Sequence, residues 1–350
     1  MTRFIDVPSL SRLVNTVGVV PFMAGLADAI DEDFRRWNDF EKCPRTANHS
    51  DVGVIELMPV ADDERFGFKY VNGHPQNPAQ GLSTVMAFGA YAEVSTGYPL
   101  LLSELTVTTA FRTAAMSLVA ARAVARDDAR RMGMIGCGAQ SEFQALAFHH
   151  LLGIEELSIY DIDAAAMQKL QRHLAAAAPG LNVIPAATPA ACALGADIVT
   201  TVTADKTWAT ILTADMIEPG MHINALGGDC PGKTELAADV LRAGKIFVEY
   251  EPQTRVEGDI QQLDDDHPVT PIWEVLAGNT AGRESAEQIT VFDSVGFALE
   301  DFSALRYIYA MDREHNIGET IALVPELDDP KDLFELVLDK SGQAFGRKAA

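Results

Sequence analysis

The chain is poor in cysteine, and none of its four cysteines stands near another in the sequence. They are Cys43, Cys137, Cys192 and Cys230. No C-x-x-C pair and no metal-ligand spacing with histidine is present, so we expect neither a disulfide framework nor a metal site. Reduced thiols in a cytoplasmic protein are the simplest interpretation.

Positive charge and long hydrophobic runs are also scarce. The 27 Lys and Arg residues face 50 Asp and Glu residues, which gives a formal net charge of −23. Such a balance repels phosphate backbones and anionic lipid, so we expect no nucleic-acid and no membrane partner. The apolar stretch at residues 118–125 is broken by Arg122 and is too short to span a bilayer. Charges at Arg3 and Arg12 make the N-terminus unlike a signal peptide.

Two kinds of hydrophobic pattern divide the chain of 350 residues, which is longer than a usual single domain. Apolar residues recur at helical spacing over residues 21–40. Short apolar runs follow at residues 52–58, 66–71, 82–87 and 100–102, separated by Gly, Pro and Asn clusters. These runs predict strands of an antiparallel or mixed sheet, and residues 106–125 predict a long helix.

From residue 132 onward, short buried strands alternate with helices. The alternation continues as far as Phe292 and predicts an α/β unit with a doubly wound parallel sheet of the Rossmann type. The unit closes near Phe292, and a helix that begins at about Ser294 leads onward.

A glycine-rich motif follows the first strand of this unit. The segment Gly136-Cys137-Gly138-Ala139-Gln140-Ser141 stands between that strand and a predicted helix. The first glycine permits a tight turn, and the second lets the backbone approach a pyrophosphate at the helix N-terminus. Ser141 replaces the usual third glycine and is still small enough for close helix–strand packing. The motif therefore predicts a dinucleotide site.

An aspartate at the end of the next strand indicates which dinucleotide is bound. Asp161 lies 25 residues beyond Gly136, where a carboxylate accepts a hydrogen bond from a ribose 2′-hydroxyl. A 2′-phosphate would meet like charge there, so the cofactor predicted is NAD. The alternative is a glycine turn followed by an unrelated surface aspartate.

Several charged residues in apolar surroundings are ambiguous by themselves. Arg45, Lys69 and Arg112 are of this kind, but an isolated Arg or Lys more often has an ion-paired structural role, so the sequence does not select them as site residues. Glu56 stands in an apolar strand, where alternation could turn it outward. The eight histidines form no metal-binding arrangement.

Asp229 is better placed for chemistry. It follows the predicted strand at residues 222–225, and ligands bind at the carboxyl ends of strands in open parallel sheets. There it could serve as a general acid and base. It could equally cap a helix near Thr234.

Taken in order, these segments resemble the ornithine cyclodeaminase/mu-crystallin family, and the resemblance covers nearly the whole chain. It is carried by Arg45, Lys69, Asn72-Gly73, Asn77-Pro78-Ala79-Gln80-Gly81-Leu82, Leu105-Thr106, Arg112-Thr113-Ala114-Ala115, Gly136-Cys137-Gly138-Ala139-Gln140 and Asn224-Ala225-Leu226-Gly227-Gly228-Asp229. Glu56-Leu57-Met58-Pro59 and the segment from Gly228 to Leu236 are most similar to the family's bacterial enzymes.

The resemblance implies a Rossmann domain inserted into a second α+β domain that binds substrate and dimerises. The expected boundaries are residues 130–312 for the NAD-binding domain and residues 1–129 plus about 313–350 for the second domain. The sheet of the second domain would pair with that of another subunit, which gives a homodimer.

The resemblance also implies a reaction and roles for single residues. L-ornithine would be converted to L-proline and ammonia by internal hydride transfer to and from NAD. Arg45, Lys69 and Arg112 would hold the substrate carboxylate, Glu56 the distal ammonium, and Asp229 would be the general acid and base. The residues expected at the dinucleotide are Thr84, Gly136, Gly138, Ala139, Gln140, Asp161, Thr203 and Ser294.

Other activities within the same fold stay open at this point. A ketimine reductase or an alanine dehydrogenase would share the cofactor and the carboxylate site but would need no acid for a distal ammonium. A non-catalytic ligand-binding protein would bind nucleotide without turnover. Lysine in place of ornithine would give a six-membered ring, and the sequence does not show the length of the pocket.

Overall fold

The computed structural model describes residues 1–203 and 208–338, which form two large sheets and a two-stranded sheet, with helices around them. The helices are α1 (Val7–Val17), α2 (Val19–Arg35), α3 (Thr106–Val124), α4 (Ser141–Ala147), α5 (Ala164–Ala177), α6 (Pro189–Ala193), α7 (Ala238–Ala243), α8 (Glu251–Glu257), α9 (Ile272–Leu276) and α10 (Ala298–His315). The strands are β1 (Thr2–Ile5), β2 (Glu41–Lys42), β3 (Thr46–Ser50), β4 (Gly53–Ala61), β5 (Arg65–Gly73), β6 (Val85–Glu93), β7 (Pro99–Glu104), β8 (Arg131–Ile135), β9 (Glu156–Tyr160), β10 (Asn182–Pro185), β11 (Ile198–Thr201), β12 (Trp208–Leu212), β13 (His222–Ala225), β14 (Thr234–Leu236), β15 (Lys245–Val248), β16 (Thr270–Pro271), β17 (Thr290–Asp293) and β18 (Glu319–Ile321).

The first sheet is mixed and has the order β18-β1-β7-β6-β5-β4-β2, with β3 paired to β4. Strand β1 is parallel to β7 and antiparallel to β18, so the first and last strands of the described chain are neighbours in this sheet. The expected antiparallel or mixed sheet is therefore confirmed. The run at residues 82–87 starts too early, because the turn after Asn77 continues through Gly81, whose φ is +74°, and the strand begins only at Val85.

Alternation along β4 and β5 decides which side chains face the interior. Met58 stands opposite Lys69 and Glu56 opposite Val71, so Glu56 and Lys69 lie on the same face of the sheet. That face is buried, whereas neighbours such as Leu57 point to the other face. The burial of Glu56 settles the ambiguity of the sequence: the carboxylate points inward.

Helix α10 covers the buried face of the first sheet. A Cβ on Gly67 would lie 3.1 Å from the Phe302 ring, and the Lys69 ammonium contacts Asp301. Ser303 donates a hydrogen bond to Asp33 of α2. The expected boundary at residue 312 does not match this packing, because α10 is held by the first sheet and its helices. We propose that the division between the two units lies between Asp293 and Ala298.

The second sheet has the order β10-β9-β8-β11-β13-β17-β15-β16, and all of its pairs are parallel. Its central strands are almost wholly buried, as expected for a parallel sheet covered on both faces, whereas the outer strand β10 is mostly exposed. The chain leaves β8 toward β9 on one side and later returns to β11 on the other. The loops after β8 and β11 therefore flank the crevice where doubly wound sheets bind ligands. The expected fold class is confirmed.

In the described part of the chain, no single helix is long and apolar enough to cross a membrane. Helices α1 and α2 reach that length and composition only together, and they are bent by 100°. Their apolar residues, among them Leu13, Phe22 and Leu26, are buried in the core.

Candidate active site

The glycine-rich loop sits at the carboxyl end of β8. Gly136 has a φ of +109°, and a Cβ there would lie 2.6 Å from the carbonyl oxygen of Val202. A Cβ on Gly138 would meet no atom within 4 Å, so this backbone is open to a ligand. Ala139 is exposed beside it, and Gln140 caps the N-terminus of α4. The Gln140 Oε1 atom is buried and has no hydrogen-bond partner among the described residues. An open backbone at a helix N-terminus fits a dinucleotide phosphate, and the unused Gln140 oxygen can accept a hydrogen bond from a hydroxyl group of the same cofactor.

Asp161 fastens this loop to the end of β9. Its carboxylate accepts hydrogen bonds from the backbone N–H of Cys137 at 2.7 Å and of Asp163 at 2.8 Å. A carboxylate has about four lone-pair sites, so these two bonds leave room for a ribose hydroxyl. The residue therefore supports the loop in addition to the role expected of it.

The other residues expected at the dinucleotide lie on three separate elements. Thr203 follows β11, and its backbone N–H and hydroxyl both donate to Glu235. Ser294 follows β17 and donates to Glu249. Thr84 lies in the first unit just before β6, where its carbonyl oxygen accepts a hydrogen bond from His74. Thr203 and Ser294 share the carboxyl edge of the parallel sheet with the glycine-rich loop, and Thr84 is on the other unit.

Arg45 joins the two units. It lies in the segment between β2 and β3, and its side chain is 7% exposed. The guanidinium donates to Glu56 at 3.0 Å and to the carbonyl oxygens of Val295 and Gly296 at 2.6 and 2.7 Å. Its Nε lies 3.1 Å from a carboxylate oxygen of Glu257. A residue from a loop of the first unit is thus fixed by the loop that follows β17.

Lys69 and Arg112 are held by two acids at the start of α10. Lys69 contacts Asp301 at 2.7 Å, and Arg112 contacts Glu300 at 2.6 Å and Asp301 at 3.3 Å. Burial and the neighbouring Arg112 lower the pKa of Lys69 to about 8. Burial acts to lower the pKa of Arg112, but Glu300 and Asp301 outweigh it and raise the pKa. Both side chains therefore stay charged at neutral pH.

Asp229 is much more exposed than Arg45, Lys69 and Arg112, since 52% of its side chain is accessible to solvent. It accepts a hydrogen bond from Lys233 Nζ at 3.3 Å, and the same ammonium donates to the Thr203 carbonyl oxygen at 3.1 Å. Its charge also acts on Arg45. The alternative of a helix cap near Thr234 is wrong, because Thr234 begins strand β14.

The segment from Gly227 to Thr234 formally fits the phosphate-loop pattern G-x-x-x-x-G-K-T. That motif needs a helix after the loop, whereas here a strand follows and Lys233 is tied to Asp229 and Thr203. A Cβ on Gly227 would lie only 1.9 Å from the carboxyl carbon of Glu235. Gly227 is therefore required by the Glu235 side chain packed against it and not by a nucleotide.

A set of buried acids was not expected from the sequence. They lie in β14, directly after β15, at the end of α8 and just beyond it, at the end of β17 and at the start of α10, and they are Glu235, Glu249, Glu257, Asp259, Asp293, Glu300 and Asp301. Burial and the neighbouring Glu300 raise the pKa of Glu249 to about 8, and burial raises that of Glu257 to about 7. The sequence carried no clear signal for them, because Glu300 and Asp301 lie in a helix without a strong apolar stripe.

The structure thus brings Arg45, Glu56, Lys69, Arg112 and Asp229 into one charged cluster between the two units. Charge interactions link Lys69 with both Arg45 and Arg112. Within residues 1–203 and 208–338, no group of three or more His, Cys, Asp or Glu side chains is placed to hold a metal ion.

The fold and the cluster define a dinucleotide-binding α/β protein with a charged site at the carboxyl ends of its parallel strands. The chain belongs to the ornithine cyclodeaminase/mu-crystallin family, whose model matches residues 9–316.

Three known proteins illustrate the similarity. The ornithine cyclodeaminase of Brucella melitensis is 54% identical over 335 residues, which cover 96% of this chain and 93% of that protein. A solved lysine cyclodeaminase, described as recognising L-lysine, L-ornithine and L-2,4-diaminobutyric acid, superimposes with a TM-score of 0.88 at 29% identity and covers 95% of this chain and 98% of its own. An archaeal alanine dehydrogenase dimer with bound NAD gives a TM-score of 0.84 at 31% identity, covering 92% and 99%.

Proposed function

We propose that this chain is an NAD-dependent ornithine cyclodeaminase, which converts L-ornithine to L-proline and ammonia with no net oxidation or reduction. One observation carries the proposal: cations suited to an amino-acid carboxylate and acids suited to a distal amine occupy one cluster. The cations are Arg45, Lys69 and Arg112, and the acids are Glu56 and Asp229. The 54% identity to the Brucella enzyme supports the same activity.

The residues of the crevice suit NAD. Gly138 offers open backbone, Gln140 an unused buried oxygen, and Asp161 a carboxylate at the end of β9. The archaeal alanine dehydrogenase of the same fold contains NAD. When bound, NAD would supply the removal of hydride from the substrate α-carbon and its later return.

Lys69 and Arg112 would orient the substrate. An ammonium offers three donors and a guanidinium five, so the contacts with Glu300 and Asp301 leave donors for the carboxylate of an amino acid. Holding that carboxylate fixes the α-carbon near the sheet edge, where the dinucleotide crevice lies. The distal amine and the α-carbon that it attacks belong to one molecule, and such proximity can reach effective molarities on the order of 10⁵ M or more.

Asp229 would move the proton that allows ring closure. The distal amine of ornithine is an ammonium in water and attacks only after it has lost a proton. Asp229 is partly exposed and accepts a hydrogen bond from Lys233 through one carboxylate oxygen, and the carboxylate would accept the proton of the distal ammonium. Once the amine has attacked the α-imine, the bond from the α-carbon to the original nitrogen breaks. The same carboxyl group would return the proton to the departing ammonia.

The competing activities make different products, so a comparison of substrates tests the proposal. We expect L-ornithine to give proline and ammonia in equal amounts with catalytic NAD⁺ and no accumulation of NADH, and L-alanine to give no lasting NADH signal. Accumulation of NADH in step with alanine consumption would favour the dehydrogenase activity instead. If pipecolate forms from lysine faster than proline forms from ornithine, lysine is the preferred substrate.

Asp161→Ala is expected to weaken NAD binding by about 10–100-fold, since a hydrogen bond to a charged group contributes about 1.5–3 kcal/mol. The loss of the Cys137 N–H acceptor would loosen the loop for NAD and NADP alike. The ratio of the two dissociation constants therefore isolates the ribose contact, and we expect the preference for NAD to fall. Fluorescence titration with NADH and NADPH measures both constants.

Asp163→Ala is the matched control, because Asp163 caps α5 only two residues further along the chain. It is expected to reduce stability by about 1 kcal/mol and to leave the dinucleotide preference unchanged. If Asp161→Ala keeps the wild-type ratio, the ribose contact is not made by Asp161.

We further propose that the outer face of the first sheet forms a homodimer interface. Leu57, Tyr70 and Phe88 stand side by side across β4, β5 and β6 on the face opposite Lys69. Leu57 is 47% and Phe88 45% exposed, and exposed apolar groups in such a row mark an interaction surface. The alanine dehydrogenase with this fold is itself a dimer.

Phe88→Glu is expected to convert the dimer to monomer at micromolar concentration, because it places a charge in the centre of the apolar row. Ile184→Glu is the control: Ile184 lies in β10 of the other sheet and is 38% exposed. Sedimentation velocity should show a monomer for the first variant and a dimer for the second. An unchanged dimer in Phe88→Glu would place the interface elsewhere.

A further inference from the structure

Glu257 is a buried acid beside the substrate cluster for which the reaction as described so far has no use. It ends α8, at the carboxyl edge of the parallel sheet, and is 7% exposed. Its Oε2 lies 3.1 Å from Arg45 Nε, but the N–H is not directed at it. Neither atom has a hydrogen-bond partner within residues 1–203 and 208–338. The carboxylate therefore presents an unused oxygen inside the cluster.

Arg45 does not need Glu257 to hold its orientation. Its guanidinium already donates to Glu56 and to two backbone carbonyl oxygens, those of Val295 and Gly296. Those three acceptors lie on two different elements and fix the plane of the group. A purely supporting role for Glu257 would thus duplicate contacts that exist without it.

The charges around Arg45 do not balance. Lys69 and Arg112 are matched by Asp301 and Glu300, and Lys233 is matched by Asp229. Arg45 has two buried carboxylates to itself, Glu56 and Glu257, and Asp229 adds to the negative potential. A buried carboxylate without a matching cation costs several kcal/mol. Burial raises the pKa of Glu257 to about 7, so in the free protein part of this cost is relieved by protonation, and a cation bound beside Glu257 would favour its charged form.

We propose that Glu257 is a specificity-determining residue that binds the distal ammonium of a diamino acid together with Glu56. This inference rests on the proposed function, and it names a second carboxylate for the same substrate group. Glu56 belongs to β4 of the first sheet and Glu257 to α8 of the nucleotide-binding unit. A cation between them is held from both units at once.

The arrangement explains how the site would discriminate against neutral amino acids. An ammonium supplies the missing charge and up to three donors for the two carboxylates. An amino acid of equal length without the distal ammonium adds no positive charge. Glu56 and Glu257 then still share Arg45 as their only ion-pair partner among the described residues. Selection for a distal cation then depends on both acids, and the removal of either should reduce it.

Glu257→Gln is the test, since it keeps the shape and removes the charge. Calorimetric binding to the NADH-loaded protein measures L-ornithine and L-norvaline, which has the same carbon chain without the distal amine. We expect ornithine affinity to fall at least tenfold and norvaline affinity to change less than twofold. Glu251→Gln is the control, because Glu251 lies on the same helix and pairs only with Arg255 among its ion-pair partners in the described chain. It should leave both affinities unchanged.

Three results would overturn the inference. Equal losses for ornithine and norvaline would mean that Glu257 acts through Arg45 or the fold, and unchanged affinities would mean that it does not face the ligand. A Glu257→Asp variant that fails to recover any ornithine preference over Glu257→Gln would argue against a charge effect. Failure of the proposed function is separate: the wild-type protein would then form no proline from ornithine, while the binding comparison could still be read.

Discussion

Asp229→Asn lowers the rate of proline formation by about 10²–10⁴-fold, the usual contribution of a general acid and base. The amide cannot take a proton from the distal ammonium or return one to ammonia. Asp229 is half exposed, so the substitution should leave the fold and NAD binding intact. Steady-state assay of proline, with NADH titration as the check on binding, measures the effect.

Asp266→Asn is the control for this result, because Asp266 is exposed and lies outside the charged cluster. It should keep wild-type kinetics. A rate for Asp229→Asn within a few-fold of wild type would remove the proton-transfer role from Asp229, and the cluster would need another base.

Arg112→Ala is expected to have a second large effect, on both stability and activity. Glu300 is fully buried and Asp301 nearly so, and both lose their contact with the guanidinium. Breaking a buried pair by removing one partner costs about 3–5 kcal/mol of unfolding free energy. Substrate carboxylate binding is lost at the same time, so kcat/KM for ornithine should fall by more than about 10²-fold. Urea denaturation and initial rates measure the two effects.

Arg122→Ala separates the loss of this pair from the loss of any arginine on α3. Arg122 is exposed on the same helix and donates to the Leu151 carbonyl oxygen at 3.2 Å. We expect it to change stability by no more than about 1 kcal/mol and kcat/KM hardly at all. Equal effects of the two substitutions would show that Arg112 has no special place in the site.

Local pattern was sufficient to predict the nucleotide-binding unit. The alternation of short buried strands and helices fixes a parallel sheet, and the glycine pair with Asp161 stands where the first two strands end. These features depend on residues that are neighbours in the sequence, so they could be predicted from the sequence alone. The end of this unit could not be predicted in the same way. Helix α10 has no strong apolar stripe of its own, and it is held by the first sheet and by helix α2.

The charged cluster depends on distant partners, so the residues alone could not select it. Arg112 and its partner Glu300 are 188 residues apart, and Arg45 is fixed by carbonyl oxygens of the loop after β17. The family resemblance supplied Arg45, Glu56, Lys69 and Arg112 as a set, and the structure brings that set together. Neither the sequence patterns nor the family resemblance pointed to Glu257. Its place beside the substrate cluster follows from the structure, in which both Glu56 and Glu257 lie next to Arg45.

The central claim is tested most directly by following the two nitrogens of ornithine. L-ornithine labelled with ¹⁵N at the α-amine is incubated with the purified protein and catalytic NAD⁺, and the products are analysed by mass spectrometry. The account predicts labelled ammonia, unlabelled proline and no net NADH, since the distal amine closes the ring and the α-nitrogen leaves. Labelled proline with unlabelled ammonia would contradict the account, and so would stoichiometric NADH.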